Sequence, residues 1–306
     1  MAGVTSLYMG RPGTDLISLP CPAQGMDKSP DKFGSTTKLL GGGYAVDFAV
    51  QTSRKWQMRF PFDDTAWHQL QALYTWQYGP GPFAMLEPSI TNYLAPNQAS
   101  GTDARGDTIG FELVFAAGGS ALNSSATYAR TGSRSLRWTV PAASASGALL
   151  FKAPFGYTGF PTAVGLQWAF SSYWRAEGTD TSIDLQHHIV WYNGSGVVLS
   201  TSSGSTFTAT TGTWTQGTAT GTAPAGAVYA APQVDLIPAT VGAGTYVYMD
   251  SAQLQVGGAV TAWKPGEGLP IVSFADAPQE VVQWAAATPL GERRQIQITL
   301  AQLGVI

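Results

Sequence analysis

Several places in the chain bring reactive residue types together, and each implies a definite chemistry. His187-His188 offers two imidazoles, the commonest metal ligands. On a strand, neighbouring side chains point to opposite sides, so the pair cannot share an ion, and one buried and one exposed histidine is expected. Asp63-Asp64 offers two carboxylates for general acid and base work. They stand immediately before Trp67, Leu70, Leu73 and Tyr74 at helical spacing, where capping and the helix dipole account for both acids. Gly41-Gly42-Gly43 precedes a strand pattern instead of following one, so it does not form a phosphate loop. Cys21 is the single cysteine, which excludes an intramolecular disulfide and a cysteine zinc cluster. Arg105-Gly106-Asp107 lies in a Gly/Asp-rich linker that produces such a triplet by chance. Asn123-Ser124-Ser125 and Asn193-Gly194-Ser195 are glycosylation sequons with meaning only in a eukaryotic secretory pathway. No G-x-S-x-G elbow supports serine catalysis. The expectation is a protein without catalytic activity.

The elements that would position these residues are mostly strands. Lys55 to Phe60 alternates, with Trp56, Met58 and Phe60 on one face and Lys55, Gln57 and Arg59 on the other. Tyr44 to Val50 is its expected partner through a turn at Gln51-Thr52-Ser53. One helix follows Asp63-Asp64 and stops at Gly79-Pro80-Gly81-Pro82, after which Phe83 to Leu86 resumes a strand. At the other end Ile296, Ile298 and Leu300 alternate with Gln295, Gln297 and Thr299. A lone strand cannot bury such a face, so it should complete the sheet begun before residue 90. Between Phe111 and Val256 the strand signals recur at short intervals: Ser135 to Val140, Gln167 to Trp174, Gln186 to Trp191, Tyr229 to Leu236 and Tyr246 to Leu254. Linker-like stretches flank this region at 95–107 and 257–268. The expected organisation is therefore one discontinuous β domain, 1–95 plus 264–306, sandwich- or barrel-like with one α-helix, interrupted by a second β domain at 101–262.

Composition supports a mainly β fold. In 306 residues there are 36 Gly and 19 Pro with 10 Trp, 12 Tyr and 13 Phe, the mixture of strands and turns typical of sandwiches. Only 11% of residues are charged, against about 25% in an average protein. A net charge of −3 without a basic stretch argues against nucleic acid as a partner. No apolar run is long enough for a transmembrane helix. Met1–Gly10 lacks the charged and apolar regions of a signal peptide, so assembly in the cytoplasm is the expectation.

Two resemblances sharpen these expectations. The stretch Tyr128-Ala-Arg-Thr-Gly-Ser-Arg-Ser-Leu-Arg-Trp138, the stretch Val247-Tyr-Met-Asp-Ser-Ala-Gln-Leu254 and the preceding Gly110-Phe-Glu112 resemble β-jelly-roll carbohydrate-binding modules. Trp191-Tyr-Asn-Gly-Ser-Gly196, the strand at Trp214 and Ala223-Pro-Ala-Gly-Ala-Val-Tyr-Ala230 follow the same pattern in order. The resemblance implies a jelly roll over roughly 150 residues. It also implies a structural Ca²⁺ held by the carboxylates of Glu112 and Asp250 and by carbonyls near Thr131 to Arg134. The alternative is that Asp250 hydrogen-bonds a turn and Glu112 is solvated. A saccharide ligand would need aromatic faces for its rings and planar polar groups for its hydroxyls. Among Trp168, Tyr173, Trp174, Trp191, Tyr192 and Trp214, the choices are Trp174 and Tyr192, with Arg175 and Gln186 as polar partners. Trp138, Trp168 and Trp191 lie in apolar runs that should fill the core.

The second resemblance concerns the flanks. The discontinuous sandwich, its single helix and the entry Asn92-Tyr-Leu-Ala-Pro-Asn-Gln98 are similar to distal or minor tail proteins of long-tailed bacteriophages. That resemblance implies a virion protein of the tail tip. It would form a ring, hexameric by analogy, beside tail-tube, tape-measure and fibre or hub proteins, with the inserted module facing a host cell-surface polysaccharide. A stand-alone carbohydrate-binding accessory protein is the alternative.

Overall fold

The computed structural model describes residues 6–22, 26–31, 34–38, 44–48, 53–103, 105–114, 118–140, 145–239, 241–284 and 292–303. The chain opens with strands β1 (Leu7–Gly10), β2 (Ile17–Leu19), β3 (Met26–Asp31), β4 (Gly34–Lys38), β5 (Tyr44–Phe48) and β6 (Ser53–Pro61). Helix α1 (Asp64–Tyr74), β7 (Phe83–Leu86) and the short α2 (Pro96–Ala99) follow. Next come β8 (Phe111–Val114), β9 (Ala121–Ser125), β10 (Ser135–Val140), β11 (Ala145–Phe151), β12 (Phe160–Pro161) and β13 (Gln167–Glu177). They continue as β14 (Ser182–Tyr192), β15 (Val198–Thr210), β16 (Thr215–Thr222), β17 (Tyr229–Ala239) and β18 (Thr245–Val256). Strands β19 (Ile271–Phe274), β20 (Gln279–Trp284) and β21 (Glu292–Gln302) close the chain. The fold is mainly β, and it divides into two compact units.

One unit comprises Thr5–Arg11, Ile17–Leu86 and Pro270–Ile306. Its sheet runs β2-β1-β7-β19-β21-β6-β3, with β20 also paired to β21, while β4 and β5 pair only with each other. The alternating apolar faces of β6 and β21 meet in register, Ile296 opposite Phe60, Ile298 opposite Met58 and Leu300 opposite Trp56. All six side chains are buried, together with Leu70 and Leu73 of α1. Burial of each such side chain contributes about 1.5–3 kcal/mol, which is why the two strands from opposite ends of the chain share one sheet. The expected pairing of Tyr44–Val50 with Lys55–Phe60 is corrected: β5 pairs with β4, and the two edges of β6 are taken by β3 and β21. Asp63 caps α1 as expected, its Oδ1 accepting the Ala66 amide at 2.8 Å. Gly41–Gly43 and the turn residues Gln51 and Thr52 lie outside the described residues.

The other unit contains Glu87–Leu269 with Pro12–Leu16. Two antiparallel sheets form a sandwich, a five-stranded one in the order β16-β13-β18-β10-β9 and a six-stranded one in the order β15-β14-β17-β11-β8, with β12 added to β17. Trp138, Trp168, Trp174, Trp191, Phe151, Phe160 and Phe170 fill its interior. The unit reaches beyond 101–262 because Asn92 is fully buried and its polar groups must be satisfied there. Its Nδ2 donates to the carbonyls of Ala252 and Lys264, and its Oδ1 accepts the Leu254 amide. Tyr93 packs its ring 5.6 Å from that of Trp168. The chain also enters and leaves along neighbouring backbone, Glu267 and Gly268 donating to the carbonyls of Asn92 and Leu94.

Candidate functional site

Strand β14 alternates along its length. Ile183, Leu185, His187, Ile189 and Trp191 point into the sandwich and are buried, which leaves Gln186, His188, Val190 and Tyr192 on the outward side, where His188 and Val190 are buried as well. Strand β17 does the same, with Val234 and Leu236 inside and Gln233 and Asp235 outside. The register sets His188 opposite Gln233 and Gln186 opposite Asp235. One more strand along, Leu150 stands opposite Gln233, and Glu112 opposite Leu150. The six-stranded sheet thus presents a cross-strand row of Glu112, Leu150, Gln233 and His188 beside a second row containing Asp235 and Gln186.

Hydrogen bonds fix this group. Gln233 Nε2 donates to Asp235 Oδ1 at 2.7 Å, and Asp235 Oδ2 lies 3.3 Å from His188 Nε2. The other imidazole nitrogen of His188 is 2.9 Å from Ser203 Oγ. Gln186 Nε2 donates to the Gly204 carbonyl at 2.8 Å. Each amide is therefore oriented through its nitrogen, and the Oε1 atoms of Gln186 and Gln233 remain as acceptors for a ligand. At the end of β14, Tyr192 stands opposite Tyr229. Burial raises the Tyr192 phenol pKa above its ordinary value, so the hydroxyl is neutral and can donate. Gly13 approaches Tyr229 so closely that a Cβ there would lie 2.9 Å from the phenol oxygen, and its φ of +89° also favours glycine. The segment Pro12–Leu16 therefore borders this end of the face. Planar amides, an imidazole, a carboxylate and a tyrosine on a rigid sheet can recognise polyhydroxyl rings.

The four saccharide contacts expected from sequence do not come together. Tyr192 and Gln186 share the outward face of β14. Arg175 lies on the outer face of the other sheet, stacked 4.1 Å over the Tyr128 ring and ion-paired with Glu177. Trp174 is corrected outright: its indole is fully buried and its Nε1 donates to Ser172 Oγ at 2.8 Å, so no face is open to a ligand. Of the neighbouring pair on β13, Trp174 is the inward residue and Tyr173 the outward one. The expectation of one exposed histidine is also corrected, since His187 and His188 are 0% and 8% exposed. His187 contacts Ser172 Oγ at 2.6 Å within the core, and burial, with a smaller effect of His188, lowers its pKa to about 3.

The residues proposed for Ca²⁺ do not fit that ion. Asp250 Oδ2 accepts the amides of Arg130 and Thr131 at 2.7 and 2.9 Å, while Oδ1 accepts Thr131 Oγ1 and the Ser251 amide at 3.0 and 2.5 Å. The carboxylate is ringed by N–H and O–H donors, whereas a hard cation needs oxygen lone pairs. Burial raises the Asp250 pKa, and the backbone donors offset part of that rise. Glu112 stands on the other sheet, its Oε2 3.3 Å from Lys152 Nζ. Among the described residues no group of three or more His, Cys, Asp or Glu could hold a metal.

Sequence alone does not single out Gln233, Asp235 and His188 as candidates. Their signal was the alternation Gln233-Val234-Asp235-Leu236, which marks an outward polar row but not its cross-strand partners.

No family model matches the sequence. No curated protein matches it. Solved structures with a similar chain trace include the CBM22-1 xylan-binding domain of Paenibacillus barcinonensis Xyn10C (TM-score 0.38, 17% identity, covering 51% of this chain and 91% of that one). The C-terminal family 22 carbohydrate-binding module of Clostridium thermocellum Xyn10B is similar at a TM-score of 0.40 and 21% identity, over 52% of this chain and 92% of that one. An enzymatically active domain of bacteriophage CBA120 tailspike protein 4 is similar at 0.38 and 13%, over 54% of this chain and 21% of that one.

Proposed function

We propose that the protein is a non-catalytic saccharide-binding subunit of a phage tail tip. Its sandwich unit binds a neutral cell-surface polysaccharide across the outer face of the six-stranded sheet. The observation that carries this reading is the outward cluster of Gln186, His188, Gln233 and Asp235 on two adjacent strands, in which Gln233 donates to Asp235, Asp235 stands 3.3 Å from His188, Gln186 donates to the Gly204 carbonyl, and the amide oxygens are left for hydroxyls. Tyr192 supplies the aromatic surface at one end. This reading gives no catalytic role to Asp235, which accepts from Gln233 and faces His188, or to Glu112, which pairs with Lys152.

The other unit serves assembly. Its exposed Tyr74, Trp76, Tyr78 and Leu303 form apolar surface of the kind that subunit contacts cover. A hexameric ring beside tube, tape-measure and hub proteins would multiply weak saccharide sites through avidity. An array of neutral cell-wall glycans, soluble xylan among them, probed with the intact chain and with Gln233→Ala/Asp235→Ala tests the binding. Retention of a glycan by the intact chain and its loss in the double variant is expected. Light scattering and electron microscopy test the ring, and a particle that stays monomeric at high concentration contradicts it.

A further inference from the structure

The outer face of the five-stranded sheet has a different character from the face just described. Strand β13 turns Tyr173, Arg175 and Glu177 outward, β18 turns Tyr246 and Tyr248 outward, and β10 turns Arg137 outward. Register aligns Arg175, Tyr248, Arg137 and Asn123 across four neighbouring strands. Arg175 and Arg137 therefore stand two strand spacings apart, about 10 Å. Around them, the Arg130 guanidinium lies 3.5 Å over the Tyr173 ring, that of Arg175 4.1 Å over Tyr128, and that of Arg137 5.1 Å from the Tyr246 ring centre. The Tyr128 ring meets Tyr248 edge-on at 5.1 Å. Half of the six basic residues between 101 and 262 thus gather on one face of a chain with little charge.

The acids on this face are already engaged. Glu177 pairs with Arg175, and Asp250 accepts the Arg130 and Thr131 amides, which fixes the backbone from which Arg130 projects. Arg130 reaches Ser251 Oγ at 3.1 Å through Nη1, and neither Arg130 nor Arg137 forms an ion pair among the described residues. The Nε of Arg137 is buried without a hydrogen-bond partner. A guanidinium stacked on a ring uses its flat face and keeps in-plane N–H groups for an oxyanion.

We propose that this face is a second binding surface, for the oxyanion groups of an acidic polysaccharide. Arg130 and Arg137 turn their remaining N–H groups to its carboxylates or phosphates, and the tyrosines beneath hold the guanidiniums in place. The proposal is independent of the neutral-saccharide reading of the opposite sheet. Three guanidiniums in a chain of net charge −3 are too few for a nucleic-acid track, which draws its affinity from many phosphates.

The test is affinity electrophoresis of the intact chain in gels containing polygalacturonate, poly(glycerol phosphate), neutral xylan or single-stranded DNA, at low and raised salt. Retardation by one or both of the first two, weakened by salt, is expected, and the polymer that retards identifies carboxylate or phosphate as the ligand group. Arg130→Gln and Arg137→Gln should each weaken it about tenfold. Gln233→Ala should leave it unchanged, so the two faces succeed or fail separately. If an arginine variant misfolds, Thr139→Glu adds an acid to the same face directly opposite Tyr246 and should also abolish retardation. No retardation by either acidic polymer, retardation indifferent to these variants, or equal retardation by single-stranded DNA overturns the proposal.

Discussion

The two outer faces of the sandwich unit are built by the same rule from different residues. On both sheets, alternate side chains of long strands enter the core and the rest face outward. On the six-stranded sheet the outward residues are amides, an imidazole and a carboxylate, bonded to one another and to β15. On the five-stranded sheet they are guanidiniums laid over phenol rings. The first face spends its nitrogen donors internally and leaves acceptor oxygens, a pattern suited to neutral hydroxyl groups. The second spends its flat surfaces and leaves donors, a pattern suited to anions. Alternation decides which residues point outward, and the cross-strand partner decides what they can still do there.

Breaking the core between the faces should have the largest effect. Trp174→Ala is expected to destabilise the sandwich unit by about 3–5 kcal/mol, whereas Tyr192→Ala on the outward side should change stability by less than about 1 kcal/mol. Chemical denaturation followed by tryptophan fluorescence checks this, and equal losses would mean that Trp174 is not the inward residue.

Acid should act next, through His187, which sits between the sheets against Ser172, Phe170, Trp174 and Phe207, with His188 as its titratable neighbour. Its folded pKa is lowered to about 3 from an ordinary 6.5, so the unfolded chain takes up a proton first. The stability linked to it is present above about pH 6.5 and falls by about 1.4 kcal/mol per pH unit below that value. By pH 5 the loss should reach about 2 kcal/mol, and His187→Leu should flatten the acid limb of the melting curve. An unchanged limb would place the titration elsewhere.

A smaller effect should separate the faces functionally. Gln186→Ala removes one amide and should weaken neutral-glycan binding about threefold to tenfold, in line with a net hydrogen bond of about 0.5–1.5 kcal/mol. Calorimetry checks it. The smallest expected effect is that of calcium, because the donors around Asp250 leave no lone pairs for it. Added Ca²⁺ or a chelator should leave Tm unchanged, and a rise of several degrees with Ca²⁺ would contradict that arrangement.

Much of the scaffold was legible in sequence because it rests on periodicity. Trp56, Met58 and Phe60 announce one buried face, Ile296, Ile298 and Leu300 another, and their union across the chain follows from the need to cover both. Nearness in sequence favours β5 as the partner of β6, whereas the matching apolar face lies on β21. Site residues were harder to find. Trp174 and Tyr192 are equally aromatic, and only the inward or outward phase of their strands separates a core residue from a surface one. Asp250 carries a carboxylate fit for a metal and the resemblance brings Thr131 near it, but no sequence pattern shows that the amides of Arg130 and Thr131, not carbonyls, meet the carboxylate.

The central claim, that the outward row of the six-stranded sheet recognises neutral saccharide, is tested most directly by one titration. A glycan retained on the array is titrated by calorimetry into the intact chain, Gln233→Ala/Asp235→Ala and Arg137→Gln. Binding that disappears in the first variant and persists in the second is the predicted result. Binding that survives Gln233→Ala/Asp235→Ala in a folded protein would contradict it and move the saccharide to another surface.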